Sequence, residues 1–229
     1  MAAPTYKLIY FDAPGLAEPI RWMFAYANVP FEDYRIEELP TYLTQKPSPK
    51  WDALKDQTPF GTVPVLEVNG NKFLGEAQAI ARFVAKQVGL AGANDWDIAQ
   101  ADSIITYIAS EFFSSVSNFA REQEPTSKKA ALERAIIQLE KVGSTLEKML
   151  QTNKSDNGSG FLVGKTPTVA DFFTVTFCFT SDFIAPGKTA QFKSLLALQE
   201  TLRGLHGVKE FVQKNADNTI EKYITSPIT

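Results

Sequence analysis

The hydrophobic rhythm of the chain changes near residue 90. Before that point short alternating runs predict strands, and after it long three-and-four spacings predict helices. Residues 5–11 alternate in type, with Tyr6, Leu8 and Tyr10 on one side of a strand and Lys7, Ile9 and Phe11 on the other. Asp12-Ala13-Pro14-Gly15 breaks that strand. Over residues 16–28, Ile20, Met23/Phe24 and Ala27 then recur at helical spacing, with Glu18 and Pro19 tolerated in the first turn. A second strand at 31–36 completes β-α-β, which calls for parallel strands joined by a right-handed crossover. Residues 37–49 are polar and hold three prolines, so they read as loop. Residues 51–55 predict a short helical turn.

A strand opening on a proline follows at Val63-Pro64-Val65, then a turn at Asn69-Gly70 and a return strand over 72–74. Asn-Gly between apolar runs signals a hairpin, because both central residues take positive φ. The next helix is predicted over 76–86. A hairpin running into a helix N-terminus presents free backbone N–H groups and partial positive charge, which suits a small anion.

After a glycine-containing linker at 88–94, Ile98, Ala101, Ile105, Ile108, Phe112, Ser115 and Phe119 predict one long amphipathic helix. Leu132, Ile136, Leu139, Leu146 and Leu150 predict another, beginning after Pro125 with Thr126 as its cap. The polar tract 152–160 reads as an exposed loop. Thr168-Val169-Ala170-Asp171 has the form of a capping box ahead of an apolar, buried helix, and further helices are expected at 190–203 and 208–214. No internal repeat is visible.

Composition narrows the chemistry. At 229 residues, 44% hydrophobic and 21% charged, the chain suits one large or two small packed domains. A net charge of −3 without a basic stripe argues against nucleic acid. No signal-peptide pattern opens the chain, and the apolar run 172–183 is too short for a membrane span, so a soluble, cytoplasmic protein is expected. The single cysteine, Cys178, excludes an internal disulfide and reads as a small buried hydrophobe. The single histidine, His206, lies in a helix end followed by a turn; multi-histidine metal sites are excluded and no metal is expected. Dithiol, dinucleotide and P-loop motifs are absent.

Several words in the chain resemble a known family. Tyr6-Lys7-Leu8-Ile9-Tyr10-Phe11, Ala17-Glu18-Pro19-Ile20-Arg21, Thr58-Pro59-Phe60-Gly61, Val63-Pro64-Val65-Leu66-Glu67 and Gln78-Ala79-Ile80-Ala81-Arg82 are similar to cytosolic glutathione transferases, most of all the sigma class. The stretch from Gly164 to Asp171 resembles the capping box and staple of the family's helical domain. The resemblance covers nearly the whole chain. It implies an α/β thioredoxin-like domain at 1–87 with a mixed four-stranded sheet (βαβ-ββα), the linker at 88–94, and an all-α bundle at 95–229 that supplies an apolar pocket.

The resemblance also implies roles. Tyr10 stands where the family keeps the tyrosine that donates a hydrogen bond to the glutathione sulfur; read alone it is a strand aromatic. Val63 and Pro64 match a cis peptide whose Val63 backbone pairs with the tripeptide; read alone the proline suits an edge strand. Glu76 and Ala77 match the pair holding the γ-glutamyl end, although a first-turn acid is also ordinary helix chemistry. Trp51 and Lys55 match residues at the glycine end, and otherwise form an amphipathic surface turn. Phe113, Phe119, Phe173 and Phe177 match the lining of the second-substrate pocket, although phenylalanine at helical spacing is commonly core.

Three departures stand out. Pro14 and Leu16 replace a pair of arginines in the first turn, Ala77 replaces a serine, and the 98–119 helix lacks an acidic pair presented at the dimer interface. The implied activity is conjugation of glutathione, as co-substrate, to apolar electrophiles by a homodimer in detoxification. A glutathione-binding or structural protein with little activity, or a prostaglandin isomerase, is the alternative.

Overall fold

The computed structural model describes residues 3–39 and 47–215; part of the expected 37–49 loop and the end of the helical domain lie outside them. Strand β1 (Tyr6–Phe11) runs into a 3-10 turn (Gly15–Ala17) and helix α1 (Glu18–Tyr26), and strand β2 (Glu32–Ile36) returns parallel to β1. Helix α2 (Pro49–Leu54) precedes the hairpin of β3 (Val65–Val68) and β4 (Lys72–Gly75). The sheet has four strands in the order β2-β1-β3-β4, with β3 antiparallel to both its neighbours. The hairpin turn has the expected chemistry, with Asn69 at φ 55° and Gly70 at φ 71°.

Alternation along β1 serves two cores. Tyr6 and Leu8 face α1, helix α3 (Ala77–Val88) and the helical domain, while Ile9 and Phe11 pack with Ile36, Val65 and the half-buried Trp51 and Leu54 of α2. Because helices cover β1 from both sides, its polar-apolar contrast is weak.

The linker is fastened rather than slack. Val88 closes α3, Gly89 caps it at φ 76°, Leu90 is buried, and the Leu90 carbonyl accepts from Val169 N–H at 2.8 Å. Asn94 caps helix α4 (Asp95–Tyr107) by accepting from the N–H groups of Trp96 and Asp97. The single helix expected over 98–119 is divided: a π-helical segment (Ile108–Phe113) separates α4 from α5 (Ser114–Arg121). Helix α6 (Pro125–Asn157) is capped by the Glu124 carboxylate, which accepts from Thr126 and Ser127 N–H, and not by Thr126. It also takes in most of the tract expected as loop, because nothing breaks the helix before Gly158, at φ 68°. Asn153 near its end donates to the carbonyls of Phe161 and Gly164, so polarity there marks a fastening point.

The capping box forms as expected at the start of α7 (Val169–Ile184). Asp171 accepts from Leu162 N–H, Thr168 N–H and the Thr168 hydroxyl. Burial pushes its carboxyl up to about 6, against the pull of those donors. Helices α8 (Lys193–Gly204) and α9 (Val208–Lys214) complete the bundle, with α7 along its axis. Helix α1 packs against α7, so the two domains share one continuous core.

Candidate active site

A cleft of about 370 Å³ opens between the domains. Its sheet-side wall carries Tyr10, Leu16, Trp51, Val63, Pro64, Glu76 and Ala77, and its helix-side wall carries Ala109, Phe113, Ser117, Arg121 and Phe173. Chain order gives no hint of this meeting. The end of β1, the turn after it, the start of β3 and the start of α3 all open toward one face of the helical domain.

Tyr10 is half-buried at the end of β1. Its hydroxyl oxygen accepts from Leu16 N–H at 3.2 Å. A phenol has one proton to donate and lone pairs to accept with, and an amide donating to the oxygen makes the phenol a better donor. The turn supplying that amide needs glycine. Gly15 has φ 43°, and a Cβ there would lie 2.4 Å from the Tyr10 oxygen.

Arg21, fully buried in α1, holds the same turn from beneath. Its guanidinium donates to the carbonyls of Ala13 (2.8 Å) and Pro14 (3.3 Å), pairs with Glu18 (3.1 Å) and Asp33 (3.0 Å), and lies 5.9 Å from the Tyr10 ring centre. A planar five-donor fork can satisfy this many acceptors at once. Two carboxylates offset its charge, so its effect on Tyr10 is chiefly positional.

The Val63-Pro64 peptide is cis, and both residues line the cleft. Glu76 precedes α3 with φ 67° and makes no capping bond with its side chain, so the first N–H groups of α3 have no carboxylate cap. Ala77 and Gln78 carry that helix start into the lining. Trp51 packs edge-on against Phe11 at 5.6 Å. Lys55 lies outside the lining, paired with Asp52 at 3.3 Å.

The four phenylalanines divide into two pairs. Phe113 and Phe173 meet edge-on at 6.2 Å in the cleft wall. Phe177 is fully buried against Phe112 at 4.8 Å, and Phe119 is buried with the Lys128 ammonium 5.7 Å from its ring centre; neither lines the cleft. Phe177 turns toward the 108–113 segment and Phe119 toward the start of α6, so both are core side chains.

Sequence reasoning missed Ala109, Ser117 and Arg121, which sit with Phe113 at four-residue steps on one helix face, a spacing that could have found them. It also missed Phe11, Thr62 and Gln78, which adjoin residues it named. Glu76 and Arg121 are the charged groups of the described lining. Burial pushes the Cys178 thiol up, and it sits in the core away from the cleft. Among the described residues no group of metal-ligating side chains is assembled, and no helix is long and apolar enough to cross a membrane.

A thioredoxin-like sheet and a helical bundle meeting at a cleft with a tyrosine on one wall define the glutathione-dependent transferase architecture. Family models agree: residues 16–87 match the glutathione S-transferase N-terminal domain, and residues 110–215 match its C-terminal domain. Glutathione S-transferase 4 of Caenorhabditis elegans is 34% identical across 95% of this chain and all of its own length. Hematopoietic prostaglandin D synthase of Gallus gallus is 30% identical over 95% of this chain and its full length. The structure of prostaglandin synthase D of Nilaparvata lugens superposes with a TM-score of 0.79 at 32% identity, covering 92% of this chain and 98% of that one. The chain belongs to the glutathione S-transferase family, and is a transferase with glutathione as its co-substrate.

Proposed function

We propose that this protein conjugates the glutathione thiolate to apolar electrophiles, with Tyr10 as the hydroxyl that stabilises the thiolate. The observation carrying this reading is the Tyr10 hydroxyl in the cleft wall, its oxygen engaged by Leu16 N–H at 3.2 Å. A free thiol titrates near ~8.5, and each unit of lowering requires about 1.4 kcal/mol of preference for the thiolate. One oriented hydroxyl in a poorly hydrated cleft supplies much of that.

The Val63 backbone pairs with the peptide of glutathione in strand fashion. Glu76 takes the γ-glutamyl ammonium, and the uncapped N–H groups at the start of α3 take its carboxylate, partly compensating for the hydroxyl missing at Ala77. Trp51 closes the glycine end, with Lys55 approaching from the rim. Phe113 and Phe173 form the apolar wall for the electrophile, and holding both partners in one cleft makes the attack effectively unimolecular. Phe119 and Phe177 support that wall from behind.

The motif words support a sigma-class assignment, a cytoplasmic location and a role in detoxification. A homodimer is supported by apolar side chains left at the edge of the sheet: Phe60 is 65% and Phe73 50% exposed, and Ile137 on α6 is 61% exposed. A second reading, isomerisation of a prostaglandin endoperoxide, is favoured by the relatives named prostaglandin D synthases.

The test is conjugation of glutathione to a chlorodinitrobenzene by the purified protein and by Tyr10→Phe. Turnover that collapses in the variant supports the assignment; an unaffected variant removes Tyr10 from the mechanism. Product analysis with a prostaglandin endoperoxide separates the second reading.

A further inference from the structure

The Tyr10 oxygen accepts from one particular peptide group, Gly15–Leu16, and the other end of that group is also engaged. Its N–H, from Leu16, donates to Tyr10 at 3.2 Å; its carbonyl, from Gly15, accepts from the hydroxyl of Thr176 at 2.8 Å. Thr176 belongs to α7, 161 residues further along the chain and in the other domain, and it is 1% exposed. A threonine inside a helix ordinarily bonds a carbonyl one turn back, as Thr174 does here with Asp171 O at 2.6 Å. Thr176 instead spends its donor across the domain boundary.

We infer that Thr176 is a positioning residue for Tyr10, acting through a relay in which the Thr176 O–H holds the Gly15 carbonyl and the same peptide's N–H holds the Tyr10 oxygen. The inference rests on the reading of Tyr10 as the thiolate donor. Each bond polarises the next, because a carbonyl that accepts a hydrogen bond leaves its own N–H a stronger donor. The peptide cannot easily be held otherwise: Gly15 is at φ 43° with no room for a Cβ beside Tyr10. The relay gives this chain a neutral, helical-domain support for the hydroxyl at a turn where Pro14 and Leu16 bring no charge. Arg21, beneath the ring, is paired with Glu18 and Asp33, and the charged groups of the described cleft lining are Glu76 on the wall of Tyr10 and Arg121 on the opposite wall. All of these stay in place when Thr176 is changed.

Thr176→Val keeps the side-chain shape and removes the donor; Thr176→Ser keeps the donor. The first measurement needs no glutathione: the Tyr10 phenol is titrated by carbon NMR of ring-labelled tyrosine in the free protein, assigned with Tyr10→Phe. The valine variant is expected to titrate at higher pH than wild type, and the serine variant to return to the wild-type midpoint. The second measurement follows the thiolate absorbance of bound glutathione and the pH profile of kcat/KM with a chlorodinitrobenzene. The valine variant should lose about two- to tenfold in kcat/KM at neutral pH, the range of one neutral hydrogen bond, and recover at alkaline pH with glutathione affinity unchanged. An unmoved Tyr10 titration in Thr176→Val, or a serine variant that behaves like valine, overturns the relay. If the wild type fails to bind glutathione, the proposed function falls while the tyrosine titration still decides the relay.

Discussion

The two walls of the cleft are built by different means. The sheet-side wall depends on special backbone: positive φ at Gly15 and Glu76, a cis bond at Val63-Pro64, and an amide placed on the Tyr10 oxygen. The helix-side wall is a face of regular side chains, Ala109, Phe113, Ser117 and Arg121 at four-residue steps, backed by Phe173. Groups fixed by backbone cannot be altered one residue at a time without moving their neighbours. A helix face can be changed position by position while the helix stays. The contrast predicts that substitutions on the sheet side alter the chemistry, and those on the helix side alter stability or the choice of acceptor.

The strongest challenge to this division is Phe173→Ala. Phe173 is fully buried although it borders the cleft, so truncation should cost about 3–5 kcal/mol in urea unfolding. A loss of activity without loss of stability would show that the helix-side wall does chemistry.

Asp171 gives the helical half a pH signature. Its carboxyl holds a proton up to about 6 in the folded protein, against an ordinary value of 3.8. Between those values the folded state binds more protons than the unfolded one, so this group's contribution to stability declines as pH rises from 3.8 to 6 and is flat above. The drop is on the order of 3 kcal/mol, and Asp171→Asn should remove it from the difference between unfolding curves at pH near 4 and near 7.

On the sheet side, Tyr10→Phe should lower conjugation by about 10- to 100-fold, the worth of a hydrogen bond to a charged acceptor, with the unfolding midpoint nearly unchanged. Gly15→Ala is the mixed case. Its left-handed backbone alone costs about 1–2 kcal/mol, and the new Cβ displaces the Tyr10 hydroxyl, so stability and rate should fall together; rate unaffected would detach the turn from the site.

The smallest effect is expected at Glu147. Burial raises its carboxyl, but the N–H groups of Ser194 and Leu195 outweigh that and hold it below its ordinary value, so it caps α8 from another helix. Its stabilisation is present above pH ~4.5 and is lost as pH falls through the lower folded value. Glu147→Gln should cost about 1 kcal/mol at neutral pH and leave conjugation unchanged.

Much of the sheet-side wall was legible because its constraints are local. Asn69-Gly70 announces its turn and Pro64 follows the residue it restricts; the capping box of the helical domain, with Thr168 and Asp171 three residues apart, is legible for the same reason. The helix-side wall was legible only in part. Phenylalanines at 113, 119, 173 and 177 share composition and spacing, yet two face the cleft and two the core. The π-helical turn at Ile108–Phe113, which resets the facing of the residues after it, has no sequence signature in the pattern. The buried Arg21 also could not be told from a surface arginine, because its burial follows from how β1, the turn after it and β2 pack around α1.

The sequence by itself determined the order of strands and helices, the hairpin and capping chemistry, and the words that place the chain in its family, since each is an interaction among near neighbours. Only the tertiary structure decided which aromatic rings line the cleft, which carboxylate titrates near 6, and which hydroxyl stands behind Tyr10. These depend on what the fold buries and on what it brings together from separate elements of the chain. The peptide Gly15–Leu16 has a donor and an acceptor in any conformation; packing α1 against α7 gives them Tyr10 on one side and Thr176 on the other.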